Sequence, residues 1–302
     1  MKKLCPKLAK EIHLFSPKEG LQESPVPGVH CVKYSKIDRR MKRRWRACFA
    51  IVAQGCKEIV LGREVYRCDE AHYTVTPIDL PVISSIEDAS IEKPFLALLI
   101  DLEPLTLSEV TAQIEKEFPQ ETENPQRAIF TGIANHKIME AAIRLVKLFE
   151  TPEDAPVLGQ LVIKEILFHL VKGAEGLAIR QFVRSGSKMH QISKVIHTLS
   201  SELSEEVDIP ALAKAANMSR SAFFKHFKEA TAMSPIQYQK RLRLLKARRL
   251  MTEEGETAEG AAFKVGYNSA SQFSREYSRM FGNSPLRDAL TVKKTGNSTH
   301  QI

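Results

Sequence analysis

The sequence predicts an α+β chain in two parts. An amino-terminal β-barrel carries appended helices, and an all-α region follows, built from two helix-turn-helix units joined by a long helix. Three observations predict this. Up to about residue 103, short apolar or alternating segments are separated by Gly, Pro and Asp, the pattern of an antiparallel barrel or sandwich. After Pro104 the apolar residues recur at spacings of three and four, the helical period. Near the carboxyl terminus one segment occurs twice, about 50 residues apart.

The strands come first. Trp45–Gln54 is a mostly apolar run ending at Gly55, and Lys57–Leu61 follows, closed by Gly62. Glu64–Cys68 and His72–Thr76 are short alternating segments, and Pro81–Ile86 and Phe95–Leu102 complete the set, placing the barrel at about 20–103. Helices are expected over about 105–185: Leu107–Phe118, then a polar loop Pro119–Pro125, then Asn135–Phe149, with apolar residues at Ile138, Ala141, Ala142, Leu145, Val146 and Phe149. Thr151 or Asp154 caps the next helix, Val157–Lys172, which Gly173 closes. Gly176–Ser187 reads as a short helix and a linker, so 1–187 is taken as the first domain. The second, 188–290, is helical throughout. It begins with Met189–Leu203, and Asp208 is placed to cap a helix starting at Ile209-Pro210. Residues 291–302 are expected to be a disordered tail.

Charge separates the two parts further. The chain of 302 residues has a formal net charge of +8. From Lys188 on there are 18 Lys and Arg against 11 Asp and Glu, while the first 187 residues hold 26 against 25. A near-neutral part joined to a basic one is the footprint of a nucleic-acid-binding module. Apolar stretches such as Phe95–Ile100 fall far short of the ~20 residues that span a bilayer, and no signal-peptide pattern follows the first lysines. A cytoplasmic protein without a membrane partner is expected. The five cysteines, Cys5, Cys31, Cys48, Cys56 and Cys68, are odd in number, which argues against a disulfide framework.

The repeat carries the function. Leu212–Met218 matches Ala261–Tyr267, and Phe224, Lys225, Phe227 and Ser234-Pro235 match Phe273, Ser274, Tyr277 and Ser284-Pro285, with one residue inserted in the second copy. Each copy has the residues of a helix-turn-helix. A small residue, Ala213 or Ala262, lies where two helices cross. Four residues on, Asn217 or Gly266 tolerates the left-handed backbone of the sharp turn. Met218 or Tyr267 plugs the corner, and Ser219 or Asn268-Ser269 caps a second helix. Gly260, inside the first helix of the second copy, weakens that helix by up to ~1 kcal/mol.

The segments ANMSRSAFFKHFKEATAMSP (216–235) and GYNSASQFSREYSRMFGNSP (266–285), with YQKRLRLLKARRLM (238–251) between them, resemble the DNA-binding domain of the AraC/XylS family of transcription regulators. The likeness covers about Met189–Pro285 without large gaps, although Asn217 stands where the family usually has Gly. GLQESPVPGV (20–29), FAIVAQGCKEIVLGREVYRCD (49–69), HYTVTPIDLPV (72–82) and LLIDLEP (98–104) resemble the amino-terminal domain of one subfamily. That resemblance implies a cupin-like barrel that senses a ligand. It also implies a sequence-specific regulator, an activator, with promoter DNA and RNA polymerase as partners, a small-molecule effector, and a homodimer formed through the helices between Asn135 and Gly173.

In such units the second helix lies in the major groove with its amino-terminal half toward the base edges. Arg220, Ser221, Phe224 and Lys225 face DNA in the first unit, and Ala270, Ser271, Gln272 and Arg275 in the second. Lys225 and Arg275 can reach guanine O6 and N7, Gln272 can read adenine, and Phe224 can pack on a thymine methyl. Phe224 is equally well read as core beside Phe223 and Phe227. Ser219, Lys228, Ser269 and Arg279 are assigned to phosphates, which position the protein without reading sequence.

The amino-terminal part offers less. Arg39, Arg40, Lys42, Arg43, Arg44 and Arg46, before the first barrel strand, read as a solvated basic loop, weighed against attraction of an acidic effector or an added DNA contact. Trp45, Tyr66, His72 and Tyr73 line a pocket or, more simply, the core. No His-x-His and Glu set of a metal-binding cupin is present, so no metal, cofactor or catalytic residue is expected. One of Cys48, Cys56 or Cys68 is a candidate for oxidant or electrophile sensing, weighed against inert burial. A DNA-repair methyl acceptor would need zinc-binding cysteine pairs, and no Cys-x-x-Cys occurs here. An architectural DNA binder without sensing is the third reading.

Overall fold

The chain enters the fold through a helix that the sequence reading did not foresee. In Cys5–Phe15 (α1), Cys5, Leu8, Ala9 and Ile12 are buried, a helical spacing hidden in a stretch read as β-rich. The structure of the protein, a computed structural model, describes residues 3–114 and 127–295, without the side chains of 39, 40 and 293–295.

Among the described residues ten strands follow: β1 (Gly20–Glu23), β2 (Val29–Tyr34), β3 (Asp38–Trp45), β4 (Cys48–Gln54), β5 (Cys56–Leu61), β6 (Glu64–Cys68), β7 (His72–Thr76), β8 (Leu80–Asp88), β9 (Phe95–Asp101) and β10 (Phe130–Ile133). They form a six-stranded sheet ordered β1-β2-β9-β4-β7-β10 and a four-stranded sheet ordered β3-β8-β5-β6, with antiparallel pairing throughout. Cys48–Ala53 of β4 are all buried. Helix α1 packs against β4, and the strand is enclosed along its length. A strand covered on both faces reads as a continuous apolar run rather than an alternation.

The basic run corrects an expectation. It is strand β3, paired with β8 in the register Lys42↔Ile83, Arg43↔Val82 and Arg44↔Pro81, and not a solvated loop. Arg43 is buried, and Arg44 sends Nε to the Asp79 carboxylate at 3.0 Å. Charges of one sign in succession read as loop; here the ladder and the Asp79 carboxylate overcome the repulsion. Trp45 and Tyr73 are core, and Tyr66 and His72 are half-buried.

The appended helices are α2 (Pro104–Ile114), α3 (His136–Lys147, with a 3-10 turn Leu148–Glu150), α4 (Ala155–Val171) and α5 (Gly176–Gln181). Asn135 caps α3 by accepting from the Ile138 amide at 3.0 Å. The expected extension of α2 to Phe118 and the loop at 119–125 lie outside the described residues. The all-α part comprises α6 (Lys188–Ser201), α7 (Ile209–Ala215), α8 (Arg220–Thr231), α9 (Pro235–Thr252), α10 (Ala258–Lys264), α11 (Ala270–Phe281) and α12 (Pro285–Thr295). The last helix carries regular structure into the stretch expected to be tail; 296–302 lie outside the described residues.

Most buried apolar residues among those described fall into two clusters. The larger runs from α1 through both sheets and the appended helices into α8 and α9, as far as Phe223, Phe227, Tyr238 and Leu242. The smaller holds Leu244, Ala247, Leu250 and Met251 of α9 with Ala261, Val265, Phe273, Tyr277 and Ala289. The first helix-turn-helix therefore shares its core with the barrel domain, and the second has its own.

Candidate nucleic-acid interface

Each helix-turn-helix is built from its turn outward. Asn217 has φ +50° and Gly266 φ +87°, the left-handed geometry the turn requires. Ala213 and Ala262 are buried at the crossings behind them. Asp208 caps α7 by accepting from the Ala211 amide at 3.1 Å. Ser219 caps α8 through the Ala222 amide, and Ser269 caps α11 through the Gln272 amide, both at 3.3 Å.

These caps correct the alignment of the two copies. α8 begins at Arg220 and α11 at Ala270, so Phe223 matches Phe273, Phe227 matches Tyr277 and Lys225 matches Arg275. The inserted residue therefore lies in the turn, at Asn268 beside the cap, and not within the helix. Phe223, Phe227, Phe273 and Tyr277 are all fully buried. An insertion inside a helix would rotate half of that core onto the surface; one in a turn does not.

With the buried positions fixed, the outward faces follow. Arg220, Ser221, Lys225 and Lys228 are exposed on α8, and Ser271, Gln272, Arg275 and Arg279 are exposed on α11. Phe224 is half-buried. Its ring meets Phe223 edge-on at 6.2 Å between centroids, and the Arg220 guanidinium lies 5.9 Å from its centroid. One side of Phe224 thus joins the core while the other borders the basic face. Ala270 is half-buried, and the Ser269 hydroxyl oxygen is engaged as the cap.

Residues that sequence reasoning did not assign hold this surface in place. Glu276, one turn beyond Gln272, accepts from Lys240 Nζ at 2.8 Å, Tyr267 hydroxyl at 2.8 Å and Gln272 Nε2 at 3.3 Å. Burial would push its carboxyl up; those hydrogen bonds outweigh burial and hold it below the usual range. Asp288 of α12 takes Arg248 Nε at 2.7 Å and Tyr277 hydroxyl at 2.7 Å. Arg243 donates only to backbone carbonyls, and Arg249 pairs with Glu254 at 3.2 Å. Much of the basic character of α9 is thus spent inside the domain. A dense run of Arg and Lys gives no sequence signal for which of them are internal.

The barrel grips the reading units at several points. Arg127 reaches Glu64 of β6 at 2.9 Å and the Lys228 and Glu229 carbonyls at the end of α8, each at 2.6 Å. The Ala128 amide donates to the Ala230 carbonyl at 3.0 Å, and Lys42 of β3 donates to the Met280 carbonyl of α11. Beside these contacts lies a cleft of about 570 Å³ between the β3–β8 ladder and α9 and α11, where Lys42, Arg241, Arg279 and the paired Lys240 and Glu276 border apolar Val82 and Leu244.

All five cysteines are free and buried. Burial pushes the Cys31 thiol up to about 12 and the Cys48 thiol up to about 11, and raises Cys5, Cys56 and Cys68 as well. That chemistry favours the inert reading over sensing. Among the described residues no group of three or more His, Cys, Asp or Glu is placed to hold a metal ion, and no helix is long and apolar enough to cross a membrane.

Comparison with known proteins agrees with this geometry. Residues 25–178 match the family model described as the AraC-type transcriptional regulator N-terminus, and residues 212–288 match a helix-turn-helix domain model. The HTH-type transcriptional activator RhaS of Escherichia coli O1:K1 / APEC is 25% identical over 152 residues, covering 50% of this chain and 54% of that protein. The chain thus spans about half the length of the curated relatives it matches. Among solved structures, ToxT from Vibrio cholerae O395 bound to (E)-4-(8-methylnaphthalen-1-yl)but-3-enoic acid superposes with a TM-score of 0.58 at 12% identity, covering 91% of this chain and 100% of that one. Unsaturated fatty acid bound wild-type ToxT from strain SCE256 does so with a TM-score of 0.56 at 10% identity, covering 87% and 94%. These likenesses concern the fold. With an amino-terminal family match over half its length and a paired helix-turn-helix behind it, the chain belongs to the AraC family of DNA-binding transcription regulators, which are not enzymes.

Proposed function

We propose that the protein activates transcription from a promoter whose two half-sites are read by α8 and α11, with RNA polymerase as partner in the cytoplasm. The exposed basic faces of the two helices carry this reading: Arg220 and Lys225 on one, Arg275 and Arg279 on the other, each behind a capped amino terminus. Lys225 and Arg275 occupy equivalent positions and are assigned to base edges, as are Ser221, Ser271 and Gln272. Lys228, Ser269 and Arg279 are assigned to phosphates. Activation rests on the likeness to RhaS.

The test uses the full chain, because the first unit shares its core with the barrel. Selection from genomic fragments yields the operator, and Lys225→Ala and Arg275→Ala are then measured on it. Each is expected to cost about 1–3 kcal/mol and to relax preference at a different half-site. Binding that is weak, salt-sensitive and indifferent to sequence and to both substitutions would overturn the reading.

An amphipathic acid is the proposed effector, held in the cleft with its carboxylate near Lys42 and Arg241 and its chain on Val82 and Leu244. The charge and lining of the cleft support this, as do the acids named in the ToxT structures. A fatty acid that raises the Tm of the wild type but not of the Lys42→Ala/Arg241→Ala double variant supports the site; equal shifts count against it. Homodimerisation is assigned to α4, whose Val157, Leu158 and Leu161 are exposed at 69%, 43% and 62%.

A further inference from the structure

Among the described residues, the buried apolar cores of the two reading units are separate clusters. Their cores divide on α9: Leu242 belongs to the cluster shared with the barrel, while Leu244, Ala247, Leu250 and Met251 belong to the second. A polar joint spans the division. Arg243, between those two leucines, sends Nε to the Leu203 carbonyl at 2.6 Å, Nη2 to the Ser204 and Glu205 carbonyls at 3.1 and 2.8 Å, and Nη1 to the Gly266 carbonyl at 2.9 Å. The first three carbonyls lie in the segment entering α7, the first helix of unit one. The fourth is the turn of unit two. One planar guanidinium, with its donors in a fixed fork, therefore ties the entrance of one unit to the turn of the other.

The contact between these two segments is close. A Cβ on Gly266 would lie 2.5 Å from the Ser204 carbonyl oxygen and 2.8 Å from Ser204 Cα. Glycine is required there both for its φ of +87° and for this approach. Gln239, one turn before Arg243 on α9, donates to the Glu205 carbonyl at 2.7 Å and braces the same segment.

We propose that Arg243 is a positioning residue that fixes the phase between the two recognition helices, and so determines which half-site spacing the protein accepts. The proposal rests on the two-half-site reading above. Without the joint, each unit keeps its own core and its own DNA-facing side chains, and the second, left with α9 and the Lys42 contact to Met280, can swivel over a wider range. Each base pair inserted between half-sites turns the second by about 34° around the duplex and moves it about 3.4 Å. A rigid pair of units rejects such a change; a swivelling pair absorbs part of it.

The test measures binding of the full-length protein to duplexes carrying the selected operator, to the same operator with its spacer changed by one or two base pairs in either direction, and to duplexes with one half-site scrambled. The wild type is expected to prefer its own spacing by about tenfold or more. Arg243→Ala is expected to bind the scrambled duplexes within about twofold of wild type, while its preference for the native spacing falls to about threefold or less. Arg243→Lys, which keeps the charge and loses the fork, is expected to fall between them. Gln239→Ala, which removes the other brace on the Glu205 carbonyl and leaves both turns intact, is expected to shift the preference in the same direction and serves should Arg243→Ala fail to fold. An unchanged spacing preference in these variants overturns the proposal, as does an equal loss on every duplex, scrambled ones included. A wild type that selects no operator would instead overturn the two-half-site reading.

Discussion

The Tyr238 hydroxyl of α9 donates to the backbone carbonyl of Asp79 at 2.7 Å, joining the helix between the reading units to the loop that enters barrel strand β8. Tyr238 is fully buried, and its hydroxyl also meets Ser200 Oγ at 3.1 Å. Asp79 in turn holds Arg44 and accepts from the Ala47 amide at 3.1 Å. Tyr238→Phe would leave a buried carbonyl without this donor, at a cost of about 1–3 kcal/mol. Urea denaturation of the full chain is expected to show that loss, with the barrel and the first unit unfolding together because they share one core. A change under about 0.5 kcal/mol would show that the contact carries no stability.

Lys228 and Lys225 sit on one exposed face of α8 and are expected to behave differently. Lys228→Ala removes an assigned phosphate contact. It should weaken binding alike on operator and random DNA and reduce the salt slope of log Kd by about 1. Lys225→Ala should act on the operator far more than on random DNA. Titrations at several salt concentrations with both DNAs check this; identical profiles for the two variants would remove the distinction.

Lys57 is a buried lysine in the barrel, its Nζ 4.1 Å from the Trp45 ring centroid. Burial lowers its pKa from the ordinary 10.5. The sign follows from proton binding. Between the folded and unfolded pKa values the unfolded chain holds more protons, so this group makes the fold more stable as pH rises toward 10.5 and least stable below the folded value. Lys57→Met is expected to stabilise the protein by about 1 kcal/mol at neutral pH, the gain being limited by the lost ring contact. That advantage should shrink as pH approaches 10. Denaturation of both proteins at pH 7 and pH 10 measures it; an advantage that grows with pH would contradict the burial argument.

Cys48, at about 11, and Cys31, at about 12, are almost entirely thiol at neutral pH, and no cysteine is exposed. The thiolate fraction of Cys48 at pH 7.4 is under roughly one in a thousand. Alkylation by iodoacetamide is therefore expected to be at least about a hundredfold slower in the native protein than in denatured chain for all five residues, as mass spectrometry of each site would show. Fast native labelling of any one would return the sensing hypothesis to that cysteine.

Much was legible in the residues themselves. Alternation placed β6 and β7, spacing at three and four placed α3, and Asn217, Gly266, Ser219 and Ser269 announced two turns with their caps. Those signals are local: a left-handed residue, a cap or an apolar period depends on neighbours a few positions away. The exposed faces of α8 and α11 follow once the caps and buried aromatics fix the helical phase, which is why most assigned contact residues are at the surface. The same local reading mistook β3 for a loop and overlooked α1. The partners that stabilise them, β8 and Asp79 for one and the β4 and α3 surfaces for the other, lie tens of residues away.

By itself, then, the sequence determined the division into a strand-rich part and a helical part, the duplicated helix-turn-helix with its turns and caps, and which side chains of α8 and α11 face outward. Only the tertiary structure decided what those cations and turns are tied to. Arg243 reaches Leu203 on one side and Gly266 on the other, Arg248 is spent on Asp288, and the first unit shares a core with the barrel while the second does not. Hydrogen bonds to backbone carbonyls leave no mark in residue type, because every residue carries one, and their geometry exists only after the chain has folded back on itself.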